Sequence, residues 1–216
     1  MFFFAVEGDS LVDRTSRPEL LPSFAYSMLL GERPRAASDA LDLALERAPG
    51  EHRLLYWRAW ARWATGDSAG AKRDLIAAGL RPERGLPPAT RASLVAGDPD
   101  TSAWLARLGR ARDAAALDPW VHGRLAAVGL AAPDGRPTAV IEAFAYRTLD
   151  PGDPDAWRKW AAAQLAERRY DVALASLETY LRLAGPRGDE DLEARRVVAQ
   201  LRDLVRGDAS RRAVRN

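Results

Sequence analysis

The chain has 216 residues, 32 of them Lys or Arg against 30 Asp or Glu, with 47% hydrophobic and 29% charged side chains and no cysteine. Such a composition suits a globular chain able to bury its own core, and the missing cysteine excludes disulfides, thiol catalysis and thiolate metal sites. A net charge of +2 gives no electrostatic argument for nucleic acid, and no apolar run approaches the ~20 residues that span a bilayer.

The cations are almost all arginine, Lys72 and Lys159 being the two lysines, and Asn216 is the sole asparagine, a bias associated with a GC-rich genome. The opening MFFFAVEGDS lacks the basic flank and long apolar core of a secretory signal, so a cytoplasmic location is expected. Phe2 to Val6 suits a strand or clamp laid against the first helices, and Phe2 to Phe4, or the exposed end of the chain's helical stack, could serve self-association. Gly8-Asp9-Ser10-Leu11 resembles the nucleophile block of the GDSL esterases. The rest of that pattern is missing. Its oxyanion asparagine could come only from the terminal Asn216, and Asp118 and His122, the nearest approach to an Asp-x-x-His block, stand one residue too far apart.

From Pro18 onward a period of 34 appears: Ala25, Ala59, Ser93, Ala127 and Ala161 form one ladder of small residues. A second runs Ala37, Ala71, Leu105, Ala139, Ala173, and a third Leu41, Leu75, Gly109, Ala143, Leu177. Small residues at fixed intervals are what two closely packed helix backbones require, and the period runs without an insertion.

The third copy departs most, because Pro87-Pro88 opens it and Gly97-Asp98-Pro99-Asp100 cuts its first helix short. Its second helix, Thr101 to Leu117, turns Trp104, Leu105, Leu108 and Ala111 inward. This copy is expected to bend or loosen the stack, or to offer a loop to a partner. The fifth copy is the clearest. Asp155 can cap a helix with Trp157, Trp160, Ala161 and Leu165 on one side, and Tyr170-Asp171 starts a second with Ala173, Leu174, Leu177, Leu181 and Leu183 inward. Asp189 can then cap a last helix, Glu190 to Val205, whose Leu192, Val198, Leu201 and Val205 face the preceding hairpin, before a basic tail with Arg206, Arg211, Arg212 and Arg215.

This pattern resembles the tetratricopeptide repeats, with Trp157, Trp160, Ala161, Ala173 and Leu177 filling most of the motif in the fifth copy. Leu21, Phe24, Ala25, Met28, Ala37, Leu41 and Pro49 fill it in the first, and Leu55, Ala59, Gly66, Ala71, Leu75 and Pro82 in the second. The fourth is plainer, with Ala126, Ala127, Leu130, Ala139, Ala143 and Pro151. The resemblance implies an all-α fold, a right-handed α-α superhelix of about five helical hairpins. The boundaries are an apolar segment at 1–17, repeats at 18–51, 52–85, 86–119, 120–153 and 154–187, a capping helix at 188–206 and a tail at 207–216.

In such a solenoid the first helix of each hairpin usually lines the concave face. Tyr56, Trp60 and Trp63 stand at i, i+4 and i+7 with Arg53 one turn earlier, which is the composition of an interface anchor or of a packed core. Tyr26 and Leu29 would extend the same groove in the first copy, and Arg124 and Arg158 in later ones. The expected function is a non-enzymatic scaffold or adaptor that captures a protein or peptide, with a self-associating structural subunit as one alternative and a GDSL-type hydrolase as another. His52 opens a helix beside Glu51, and Asp150, Asp153 and Asp155 cluster at a helix start. No catalytic, cofactor-binding or metal-ligating residue is assigned, and no cofactor is expected.

Overall fold

The computed structural model describes residues 18–132, 135–186 and 191–213, with the side chains of 208–213 outside that description. Phe2 to Phe4, the Gly8-Asp9-Ser10-Leu11 block and Asp189 lie outside the described residues. The described residues are helical with no strand, and the chain forms two compact units that divide after Gly79. The all-α architecture that the resemblance implies is the one observed among the described residues.

The first unit opens with a 3-10 turn, Pro18–Leu20, followed by α1 (Leu21–Leu30), α2 (Pro34–Arg47), α3 (His52–Ala64) and α4 (Ser68–Ala77). α1 packs on α2, α2 on α3 and α3 on α4, so the unit is two hairpins stacked in chain order. Ala25, Ala37, Ala59 and Ala71 are fully buried, as close helix approach requires. A second device holds the hairpins: the amide of Arg33 donates to Met28 O at 2.8 Å, and that of Asp67 to Arg62 O at 2.9 Å. These are the 6→1 bonds of Schellman helix ends, and they need a left-handed residue just before the donor. Gly66 supplies it at φ +91°, whereas Glu32 adopts φ +57°.

The second unit begins with an extended strap. Arg81 donates to Asp113 O at 2.8 Å, and Ala116 and Leu117 donate back to Arg81 O and Glu83 O at 2.8 and 2.9 Å. The helices are α5 (Pro88–Val95), α6 (Thr101–Ala114), α7 (Pro119–Ala131), α8 (Arg136–Leu149), α9 (Pro154–Ala166), α10 (Tyr170–Ala184) and α11 (Leu192–Ala213). α7 packs on α8, α9 on α10 and α8 on α9, with α11 against α10. Consecutive stacked hairpins are the packing pattern of an α-solenoid. The left-handed turn recurs between α9 and α10, where Arg168 has φ +57° and Arg169 donates to Gln164 O at 2.9 Å.

Four local expectations are corrected. The register is interrupted: first helices start at His52, Pro119 and Pro154, 67 and 35 residues apart. The third copy is therefore one residue short and the fourth one long, the surplus lying in the turn between α7 and α8. Ala127 is consequently exposed and Gly109 half-buried, while Ala126 and Leu108 are buried in their place; Ser93 is exposed as well, with Leu94 the buried residue of α5. Secondly, α9 is capped by Asp153, which accepts from the Asp155 amide at 2.9 Å, and Pro154 occupies the first turn where its missing N–H is harmless. Thirdly, Leu183 and Leu192 are exposed. Finally, α11 runs to Ala213 rather than Val205, and Asp191 accepts from the Ala194 amide at 2.9 Å at its start.

The shortened α5 is held least. Among its residues only Leu94 is buried, joining Leu86, Leu108, Val121, Leu125 and Val128 in one apolar cluster, while Val95 is 54% exposed. Burying one leucine contributes ~1.5–3 kcal/mol. Against this, Trp104 Nε1 is buried with no hydrogen-bond partner beside the α5–α6 turn, where its ring lies 3.6 Å from the place of a Cβ on Gly97. Stranding such a donor costs ~1–3 kcal/mol, comparable to the gain from Leu94.

The left-handed turns give a test. A non-glycine residue at positive φ carries a steric penalty that glycine avoids, so Glu32→Gly and Arg168→Gly should each raise stability by ~0.5–1 kcal/mol in urea titrations. Gly66→Ala should lower it by a similar amount.

Candidate functional site

Helix α3 is enclosed by α2 on one side and α4 on the other, which leaves it a narrow accessible stripe. Two of its arginines are consumed inside the unit. Arg58 reaches both oxygens of the buried Asp74 at 2.7 and 2.9 Å and Asp42 at 2.7 Å, and Arg62 reaches Asp74 at 3.0 Å and Asp42 at 3.1 Å. This network ties α2, α3 and α4 together. Arg53 differs in being exposed, and its guanidinium lies 5.5 Å from the ring centre of Trp57. Trp57 is half-buried and its ring is 5.5 Å from that of Tyr26 on α1. Exposed Arg53 and half-buried Trp57 thus form one partly accessible cationic and aromatic surface, with the ring of half-buried Tyr26 behind it.

The anticipated stripe does not form that surface. Trp60 is fully buried, with Tyr56 at 5.7 Å and the half-buried Trp63 at 6.4 Å, and Tyr56 is buried as well. Leu29 also belongs to the core. Three of the expected groove residues, Leu29, Tyr56 and Trp60, are therefore corrected to core. A helix flanked on both sides turns its i, i+4, i+7 stripe inward and leaves Arg53 and Trp57 outward.

In the second unit α7 lies beside α9 as well as α8. Trp120, near the start of α7, has two guanidiniums near its ring, Arg91 of α5 at 5.3 Å and Arg124 at 5.4 Å from the ring centre. On α9, exposed Arg158 pairs with Asp155 at 3.1 Å and lies 5.8 Å from the Tyr180 ring. Lys159 is 5.6 Å from the Tyr146 ring and 4.0 Å from Asp155. Burial pushes the Lys159 ammonium below its ordinary range against the opposing charge of Asp155, and Arg158 and Arg124 press it the same way. The Tyr146 hydroxyl donates to Asp153, and burial together with that carboxylate raises it well above the usual phenol range. Arg124 and Arg158 are thus brought to one face, where Asp155 balances part of their charge.

Beneath this face lies the deepest ionic group of the unit. His122 and Glu142 are both fully buried, with Nδ1 2.6 Å from Glu142 Oε2 and Nε2 2.9 Å from Ala116 O. Both ring nitrogens therefore have an oxygen partner, which fixes the ring at each end. Arg112 Nη1 donates to Glu142 Oε1 at 2.9 Å and so brings α6 into the network. Although burial works against ionisation and is the largest influence, the hydrogen bond from His122 and the charges of His122 and Arg112 together hold the Glu142 carboxyl below its ordinary value. Asp118, also buried, accepts from the Leu86 amide at 2.9 Å, the Trp120 amide at 3.0 Å and Arg91 at 2.8 and 3.0 Å. Asp118 and His122 therefore serve separate structural networks.

Among the described residues no group of three His, Asp or Glu side chains converges as a metal site, and no helix is long and apolar enough to cross a membrane. No family model and no curated protein matches the chain. Solved structures similar to it include the Assembly Chaperone of RpL4 (Acl4), residues 1–338, at 13% identity and a TM-score of 0.31 over 92% of this chain and 99% of that one. A likeness of that size carries no argument about function.

Glu142 makes the stability of the second unit depend on acid. Its carboxyl ionises at lower pH in the folded than in the unfolded chain, so its contribution is complete above the unfolded value of ~4.3 and is lost as pH falls through the folded range. Glu142→Gln should cost ~3–5 kcal/mol near neutrality by leaving Arg112 without its buried counter-charge and His122 without its carboxylate partner. Stability measured from about pH 6 down to pH 3 should then fall less steeply in the variant than in the parent.

Proposed function

We propose that the chain is a non-enzymatic scaffold of tetratricopeptide-like hairpins that captures a protein or peptide on the faces of its first helices. The tetratricopeptide reading is supported by the buried Ala25, Ala59, Ala126 and Ala161, and by left-handed hairpin turns at Glu32, Gly66 and Arg168. The spacing from Glu32 to Gly66 is 34 residues, and from Gly66 to Arg168 it is 102, three periods. The binding role rests on one observation: Trp57 is left half-buried on an accessible face, with Arg53 and Tyr26 against it, although the neighbouring Trp60 is fully enclosed. Tryptophan, tyrosine and arginine are the side chains that dominate interface energies, because they combine a large apolar area with directional polar groups.

The partner-binding residues of this reading are Tyr26, Arg53 and Trp57 in the first unit and Arg124 and Arg158 in the second. Trp63, half-buried at the end of α3, packs against the enclosed Trp60 rather than on this face. Arg53→Ala combined with Trp57→Ala should leave the circular dichroism spectrum unchanged. It should also weaken capture of the partner recovered with the parent chain by about 30-fold or more, the loss of ~2 kcal/mol that marks an interface hot spot. Arg124→Ala with Arg158→Ala tests the second face in the same way, and Arg202→Ala, whose exposed side chain pairs with Glu178 at 2.7 Å, serves as control. Retention of the same partners by both double variants would sink the reading.

A further inference from the structure

The short helix α5 offers a more specific site. Two of its side chains, three residues apart, reach the second unit: Leu94, buried in the cluster with Leu108, Val121 and Leu125, and Arg91, which donates twice to the buried Asp118 and lies over Trp120, while Arg107 of α6 donates to the Ser93 carbonyl at 2.7 Å. Its other residues are exposed. Departure of α5 would break the Arg107 bond to Ser93 O, while Arg107 could keep its pairing with Asp98 at 3.4 Å. On the N-terminal side the strap remains pinned by its backbone bonds to residues 113–117 and by the Leu86 amide on Asp118 at 2.9 Å. On the C-terminal side Gly97, at φ +73°, gives a turn free of a Cβ.

We propose that α5 is a displaceable occupant of a pocket on α6 and α7, and that this pocket receives a partner helix carrying arginine and leucine three residues apart. The proposal rests on the reading of the chain as a protein-binding scaffold. The pocket supplies the complement of that pair: a carboxylate whose remaining bonds go to the Leu86 and Trp120 amides, and an apolar cavity lined by Leu108, Val121 and Leu125. Beside Gly97, just after α5, Trp104 Nε1 is buried without an acceptor in the closed arrangement. A partner that places an acceptor against that N–H gains what α5 does not. Displacement exchanges an intramolecular helix for an intermolecular one, so affinity is limited by how firmly α5 stays docked.

The test uses the full-length chain. Hydrogen exchange should show the amides of α5 exchanging at least tenfold faster than those of α7 and α8. A fluorescent synthetic peptide of residues 86–97, LPPATRASLVAG, should bind the Arg91→Ala chain at least tenfold more tightly than the parent, because the resident helix is then weakened. A peptide carrying both Arg91→Ala and Leu94→Ala should not bind. Circular dichroism should report a folded Arg91→Ala chain, as its Asp118 keeps two backbone donors. Protection of α5 equal to that of α7 and α8 would overturn the proposal. So would equal binding of the native and doubly substituted peptides, or no binding of either to the Arg91→Ala chain. None of these results bears on Trp57, Arg53, Arg124 or Arg158, so the scaffold reading stands or falls separately.

Discussion

The constraint on which this structure depends is the close approach of helix backbones at a few alanines. Ala59 and Ala161 have no accessible surface, and a larger side chain there would force neighbouring helices apart. Once the backbones are that close, the large side chains must be placed around the contact, which is where Trp60 and Trp160 are found fully buried. Trp160 meets Phe144 edge-on at 5.5 Å, and Arg147 lies 5.0 Å from its ring centre, closing the joint between α8 and α9. Tight hairpin turns follow from the same geometry, because antiparallel helices at short distance leave room for only a few residues between them.

Hairpins that resemble one another so closely could pair in more than one register on apolar contacts alone. Each unit contains buried carboxylates that are satisfied in one arrangement. Asp74 takes Arg58 and Arg62 from α3, Glu142 takes His122 from α7 and Arg112 from α6, and Asp118 joins α7 to the strap and α5. A slipped register would leave these charges buried and unpaired, which is far more costly than a lost apolar contact. The networks thus make one pairing of helices much better than its neighbours, and they do so inside each unit.

Much of this was legible in the residues. The helical hairpins, the buried Ala25, Ala37, Ala71 and Ala173, the truncation before Thr101 and the inward Leu108 and Ala111 follow from periodicity and from proline and glycine. Other signals were present but read one step off. Asp-Pro at 118–119 and at 153–154 opens two helices, giving the Asp153 cap and the shifted register of α7, but the same dipeptide at 98–99 and 150–151 opens none, so it does not discriminate by itself. The ionic networks gave no comparable signal. Asp74 and Glu142 look like surface carboxylates on amphipathic helices, and their partners lie 12 to 30 residues away.

The candidate face shows the same division. Sequence alone determined that α3 concentrates Tyr56, Trp57, Trp60 and Trp63 with Arg53, because composition and a 3.6-residue period are local properties. Which of those rings meets solvent depends on where α2 and α4 press against the helix, a relation between distant segments that no period records. That packing took Trp60 and Tyr56 inward and left Trp57 beside Arg53 and Tyr26. The chain's own residues therefore fixed the hairpins and the stock of aromatic and arginine side chains, whereas only the tertiary structure decided which of them serve the core and which remain available, since burial is set by neighbours in space.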